Sequence, residues 1–100
     1  MRDDEFEWDD RKAVHNLARH KIDFKDARRA FADPHIFERD DRRIDYTEDR
    51  FTVLGMVRDK LFFVAYTYRN ERIRIISARG ADQHEQRLYH EAKARGSQQD

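Results

Sequence analysis

The chain has 100 residues, of which 42% are charged and 38% apolar, with seven Phe, four Tyr, one Trp, no Cys and zero formal net charge. That length allows one domain, and the absence of Cys excludes disulfides, thiol catalysis and Cys-ligated zinc. No apolar run approaches a membrane span and the acidic start is unlike a signal peptide, so a cytoplasmic protein without membrane association is expected.

Charge is patchy. Residues 1–10 hold six acids against Arg2, residues 11–29 hold seven Lys/Arg against Asp23 and Asp26, and residues 69–80 hold four Arg against Glu71. Sixteen of the 21 basic residues are Arg, the side chain suited to bidentate phosphate contacts.

In chain order, "WDDRKAVHNLARHK" predicts a helix with Asp9 as N-cap and Ala13 and Leu17 on one face, Asn16 and His20 adjoining. "IDFKDARRAFADP" predicts a second helix, capped by Asp23, lined by Phe24, Ala27 and Phe31, and stopped by Pro34. "HIFERDD" and "RRIDYTED" are short and charged, and read equally as a strand pair or a loop. "RFTVLGMV", "KLFFVAYTYR" and "RIRIISAR" predict three strands, joined by hairpins at 58–59 and 70–71.

Alternation makes both faces of the middle strand apolar, so both need a cover. The N-terminal helices suit one face, and the last helix or a partner suits the other. "ADQHEQRLYHEAKARG" closes the domain as a helix, with Asp82 and Glu85 at capping-box spacing and Gly96 as the stop. The expectation is a small α+β domain over residues 1–96: two N-terminal helices, an antiparallel sheet of three to four strands and a C-terminal helix, with a frayed tail at 97–100.

No cofactor motif is present. Three ungrouped Gly make no phosphate loop, and neither Ser77 nor Ser97 sits in a nucleophile elbow. His15/His20 and His84/His90 are five and six apart, which splays them around a helix, so no metal site is expected.

What remains is the arginine-rich strand and its turn into the last helix. Cleaving RNA without metal needs a base for the 2′-hydroxyl, cations for the phosphorane and an acid for the leaving oxygen. Arg cannot serve as a base at neutral pH but stabilises that charge. Strict alternation puts Arg74 and Arg79 on opposite faces, so they share a site only if the strand ends or twists before Arg79. The competing role for Arg79 is an ion pair with Glu85 at the helix start, for Glu85 the capping box, for Tyr89 packing beside Leu88, and for His20 capping or packing.

The ordered pieces Phe6-Glu7-Trp8-Asp9, Lys12, Asn16, His20, Ile22, Phe24 and Ala27 resemble the opening of the BrnT toxin family. Phe31, Asp33, Arg50, Gly55, the run Arg72-Ile73-Arg74-Ile75-Ile76-Ser77-Ala78-Arg79, Glu85 and Tyr89 continue the pattern. Lys21 departs from it, standing where many members have Gly.

The resemblance implies a RelE-like ribonuclease toxin of a type II toxin–antitoxin pair. Such a toxin cleaves RNA, inhibits translation and growth, and binds a BrnA-like antitoxin in a hetero-oligomer that touches operator DNA only through the antitoxin. On it, Arg74 and Arg79 are the expected transition-state contacts, Arg50 and Arg72 further substrate contacts, and Lys12, His20, Glu85 and Tyr89 the candidates for proton transfer. Two other classes fit the same sequence: a module that binds RNA or a translation factor without catalysis, and an interaction partner of a DNA-binding repressor.

Overall fold

A computed structural model describes residues 1–40 and 49–97. Its core is a five-stranded sheet in the order β1-β5-β4-β3-β2, formed by β1 (Phe6–Glu7), β2 (Phe37–Asp40), β3 (Phe51–Val57), β4 (Lys60–Arg69) and β5 (Arg72–Gly80). The helices are α1 (Asp10–His20), α2 (Phe24–Ala27) and α3 (Gln83–Ser97), with a 3-10 segment, Arg28–Ala32, following α2. The α+β class and the three apolar strands are as expected. The strand at Phe37–Asp40 pairs antiparallel with β3, whereas the rest of the ambiguous charged region, 41–48, and most of the tail, 98–100, lie outside the described residues. The last helix runs through Gly96 to Ser97. Among the described residues, no helix is long and apolar enough to cross a membrane.

Two hairpins build the centre of the sheet. Arg58 (φ 58°) sits in the first turn, and Asn70 and Glu71 (φ 53° and 65°) form the second, the left-handed pair that matches strand twist. Val53, Val64, Tyr66, Ile75 and Ala78 point to one face and are essentially sealed there with Trp8, Phe24, Ala27 and Ala30. Leu54 and Leu61 point to the other, where Tyr89 and Leu88 of α3 cover them. The N-terminal helices therefore cover one face, and α3 covers part of the other.

Three local differences from the sequence expectation have physical causes. The second helix is not one α-helix. Phe24, Ala27 and Ala30 are all fully buried, a strict repeat of three residues, which drifts around a continuous α-helix and which the change to a 3-10 turn at Arg28 keeps on one face; Phe31 is only half-buried. Gly55 makes this packing close: a Cβ there would lie 2.4 Å from the Ala30 carbonyl oxygen.

The second difference is in α1, whose buried side centres on Asn16 rather than on Ala13 and Leu17. Val14 and Leu17 are 69% and 46% exposed, because the helix faces a sheet edge that needs a polar partner.

The third is β1, a two-residue strand parallel to β5 with Phe6 opposite Ile73 and Glu7 opposite Arg74.

Asp9 caps α1 by accepting from the Arg11 and Lys12 amides (2.8 and 3.2 Å). Lys21 ends it at φ 62°, donating its amide to the Leu17 carbonyl. This left-handed position favours Gly, so the departure at Lys21 falls where the backbone makes a side chain costly. Lys21→Gly is expected to raise stability by about 0.5–1 kcal/mol, read as a higher urea midpoint at unchanged m-value.

Candidate active site

The strand β5 carries the arginines, and a β-bulge decides how they are presented. Ala65 pairs with Ser77 but Tyr66 pairs with Ile75, so Ile76 is an extra residue on β5. The bulge reverses alternation beyond it. Arg74 lies opposite Thr67 and Arg79 opposite Phe63, four residues apart on β4, so both arginines share one face. The face-sharing that strict alternation forbade is thus achieved inside the strand, before Gly80.

The two guanidiniums differ in how they are engaged. Arg79 is held on three sides. Its Nη1 and Nη2 donate to Glu85 Oε1 and Oε2, both at 2.8 Å, Nη1 also donates to the Gly80 carbonyl at 3.1 Å, and the group stacks over the Phe63 ring at 4.1 Å. Glu85 Oε1 also accepts the Asp82 amide while Asp82 accepts the Glu85 amide (2.9 and 2.8 Å), completing the capping box. The structural role weighed for Arg79 and Glu85 is therefore realised in the geometry.

The Arg74 side chain makes one hydrogen bond among the described residues, from Nη1 to Glu7 Oε2 at 2.7 Å. Arg72 donates Nε to the Asp3 carbonyl at 2.6 Å, and half-buried Arg50 directly precedes β3, next to Asp49, whose carbonyl accepts from Thr67 Oγ1 at 2.5 Å.

Helix α1 lies along the edge of β5, fixed by Asn16. Its Oδ1 accepts the Ala78 amide at 3.0 Å and its Nδ2 donates to the Ala78 and Ile22 carbonyls, both at 2.9 Å. Lys12, Asn16 and His20 recur every four residues, a single helix stripe. Of the three, Asn16 is the one that meets β5, at Ala78. The Asp9 carboxyl is held below the usual range, first by the Lys12 and Arg11 amides and then, against its own desolvation, by the charges of Lys12 and Arg74. Lys12 is exposed and His20 half-buried.

Tyr89 sits elsewhere. It is buried under α3 and its hydroxyl donates to Asp33 Oδ2 at 2.5 Å. Burial first, then the bond to Asp33 and that residue's charge, push Tyr89 up to about 12. It stays protonated at neutral pH.

Burial works to raise Asp33, but its bonds from Tyr89 and from the Met56 and His35 amides outweigh it and hold the carboxyl below 3.8. Stability from Asp33 is therefore present above its unfolded value and lost as the pH falls through the folded one; stability from Tyr89 is present below 10.0 and lost as the pH rises toward about 12. Tyr89→Phe is expected to cost about 1.5–3 kcal/mol at neutral pH. The difference from wild type should narrow at both extremes of pH, which urea titrations across that range would measure.

Among the described residues, no group of three or more His, Asp or Glu is gathered closely enough to hold a metal ion. Arg74 and Arg79, on one face of β5, are side chains of the kind that meets a phosphate and neutralises charge building on it. A family model described as the ribonuclease toxin BrnT of a type II toxin–antitoxin system matches residues 8–85.

The chain belongs to the BrnT family.

A ribonuclease toxin of such a system implies an antitoxin partner. No curated protein matched the sequence. The BrnT match takes in Lys12, His20, Arg50, Arg72, Arg74, Arg79 and Glu85, and stops six residues into the stretch that begins at Gly80. Most of α3, including Tyr89, lies beyond it. Glu7, not among the candidates named from residue type, lies just before it; the alternation Phe6-Glu7-Trp8, apolar-acid-apolar, is the sequence signal for a strand that sets this carboxylate on the face of Arg74.

Proposed function

We propose that this BrnT-family protein is an endoribonuclease that cleaves cellular RNA in the cytoplasm without a metal ion, so inhibiting translation and growth, and that a BrnA-like antitoxin neutralises it. The observation that carries the reading is the bulge at Ile76, which sets Arg74 and Arg79 on one face of β5. Arg74 is the principal transition-state contact, since most of its nitrogens are not engaged within the described residues. Arg79 adds charge at the far end of the same face while holding α3 through Glu85. Arg50 and Arg72 extend the phosphate contacts, and Lys12 and His20 supply proton transfer along the strand edge. Glu85 and Tyr89 support the site through α3.

A second reading, a module that holds RNA without cutting it, draws on the saturation of Arg79 by Glu85 and Phe63. Purified protein freed of antitoxin and incubated with total RNA in excess EDTA separates the two. Progressive fragmentation is expected. RNA that is bound yet stays intact, with ribosomes also supplied and the protein folded, would favour the binding module and sink the enzyme.

A further inference from the structure

We propose that Glu7 is a positioning residue of the RNA site, fixing the Arg74 guanidinium at the angle from which it meets a phosphate. The proposal rests on the endoribonuclease reading. Register comes first: Glu7 and Arg74 are directly paired residues of the parallel strands β1 and β5, so backbone hydrogen bonding as well as charge sets their separation. The ion pair follows from it, Arg74 Nη1 to Glu7 Oε2 at 2.7 Å.

The second observation concerns the carboxylate itself. Glu7 is only 7% exposed, between the half-buried Phe6 and the buried Trp8, and its Oε1 is buried with no hydrogen-bond partner among the described residues. Among the described residues, Arg74 is thus the one side-chain partner of a buried carboxylate that has half its acceptors unfilled. Such a group is a poor way to stabilise a fold. An apolar side chain of similar volume does as well or better, and an unsatisfied buried oxygen in a native structure calls for an explanation other than stability. Orienting Arg74 supplies one. With Nη1 tied back, the planar fork keeps its remaining donors for two phosphate oxygens.

The charge of Glu7 also gives the proposal a distinctive sign. A site that worked only by general positive charge would gain from losing this carboxylate. A site that depends on the angle of Arg74 would bind RNA as well or better and turn it over more slowly.

The test is a double-mutant cycle on the purified full chain, read by cleavage of a mixed-sequence fluorogenic RNA. Glu7→Leu is expected to lower kcat by about 100-fold, the loss that a displacement of about 1 Å in a reacting geometry produces, with KM unchanged or lower and the thermal midpoint unchanged or higher. Glu7→Gln, which still accepts a hydrogen bond from Arg74, should recover part of the loss. In an Arg74→Ala background Glu7→Leu should have no further effect on kcat; Arg74→Gln is the second background if alanine leaves the buried carboxylate too costly for folding. Full kcat in Glu7→Leu, or losses that add in the double variant, would overturn the positioning role while leaving the endoribonuclease reading intact. Arg74 variants as active as wild type would likewise overturn this proposal and leave that reading standing, whereas wild-type protein that never cuts RNA would remove both.

Discussion

Arg74→Ala is expected to lower RNA turnover by about 10²–10³-fold, the range seen when one donor to a developing oxyanion is removed. The same exchange at Arg79 is expected to act mainly on the fold. The difference follows from the partners. Arg79 gives both terminal nitrogens to Glu85, a carbonyl contact to Gly80 and its face to Phe63; its removal unfastens the start of α3. The cost should be about 1–2 kcal/mol, discounted because its side chain is 36% exposed. Arg74 has one side-chain hydrogen bond among the described residues, to Glu7, so on the proposed function its removal takes away a ligand for phosphate.

Arg74→Ala also strands Glu7, and a stability loss there would confuse the result. Arg74→Lys is the control. Lys keeps the charge and can pair with Glu7, but it cannot present a planar pair of donors. Turnover well below wild type with an unchanged unfolding midpoint would place the defect in the chemistry. Both alanine variants folding and arresting growth as wild type does would show that this face of β5 is not where RNA is cut.

The fold was legible where local chemistry decides it. Val, Ile and Phe fill β3, β4 and β5, and two-residue gaps at 58–59 and 70–71 leave room for nothing but hairpins. Asp9, Asp23 and the Asp82/Glu85 box announced three helix starts because capping is a contact of residues two or three apart. Long-range pairing was not legible. β1 is two residues in an acidic stretch, and its partner Ile73 is most of the chain away, so no local pattern measures its hydrogen bonds. Nor does any residue type mark Ile76 as the extra residue of a bulge; the misregister appears only when β4 is laid beside β5.

The candidate site shows the same division. The arginines stood out by type and density, whereas the fact that places two of them on one face is a pairing register. The role of Glu7 is hidden for a related reason: an acid among six in the first ten residues looks like solvated surface until β5 is known to run beside it.

The largest effect on stability should come from Asn16→Leu. β5 is an edge strand once β1 ends at Glu7, and an edge that lies under a helix cannot send its backbone groups to water. At Ala78, which is fully buried, the Asn16 side chain does what a neighbouring strand would do, accepting the amide and donating to the carbonyl, and it ties in the Ile22 carbonyl besides. Leu is close in size but offers neither donor nor acceptor. Three backbone groups then lose their partners, each at about 1–3 kcal/mol, offset in part by the added apolar burial. A net loss of about 3–5 kcal/mol is expected, a large fraction of the stability of a domain this small.

Asn16→Asp sharpens the test. It keeps an acceptor for the Ala78 amide but sets a carboxylate against two carbonyls, so it should be at least as damaging near neutrality. Part of the loss should return in acid, when protonation restores one donor. Urea unfolding gives the totals, and hydrogen exchange at the Ala78 amide gives the location, with protection falling first there. If Asn16→Leu unfolds at the wild-type midpoint, the amide is not what binds α1 to the strand. If it unfolds early yet keeps Lys12 and His20 working while folded, then the stripe they share with Asn16 does not need this clamp to stay beside β5.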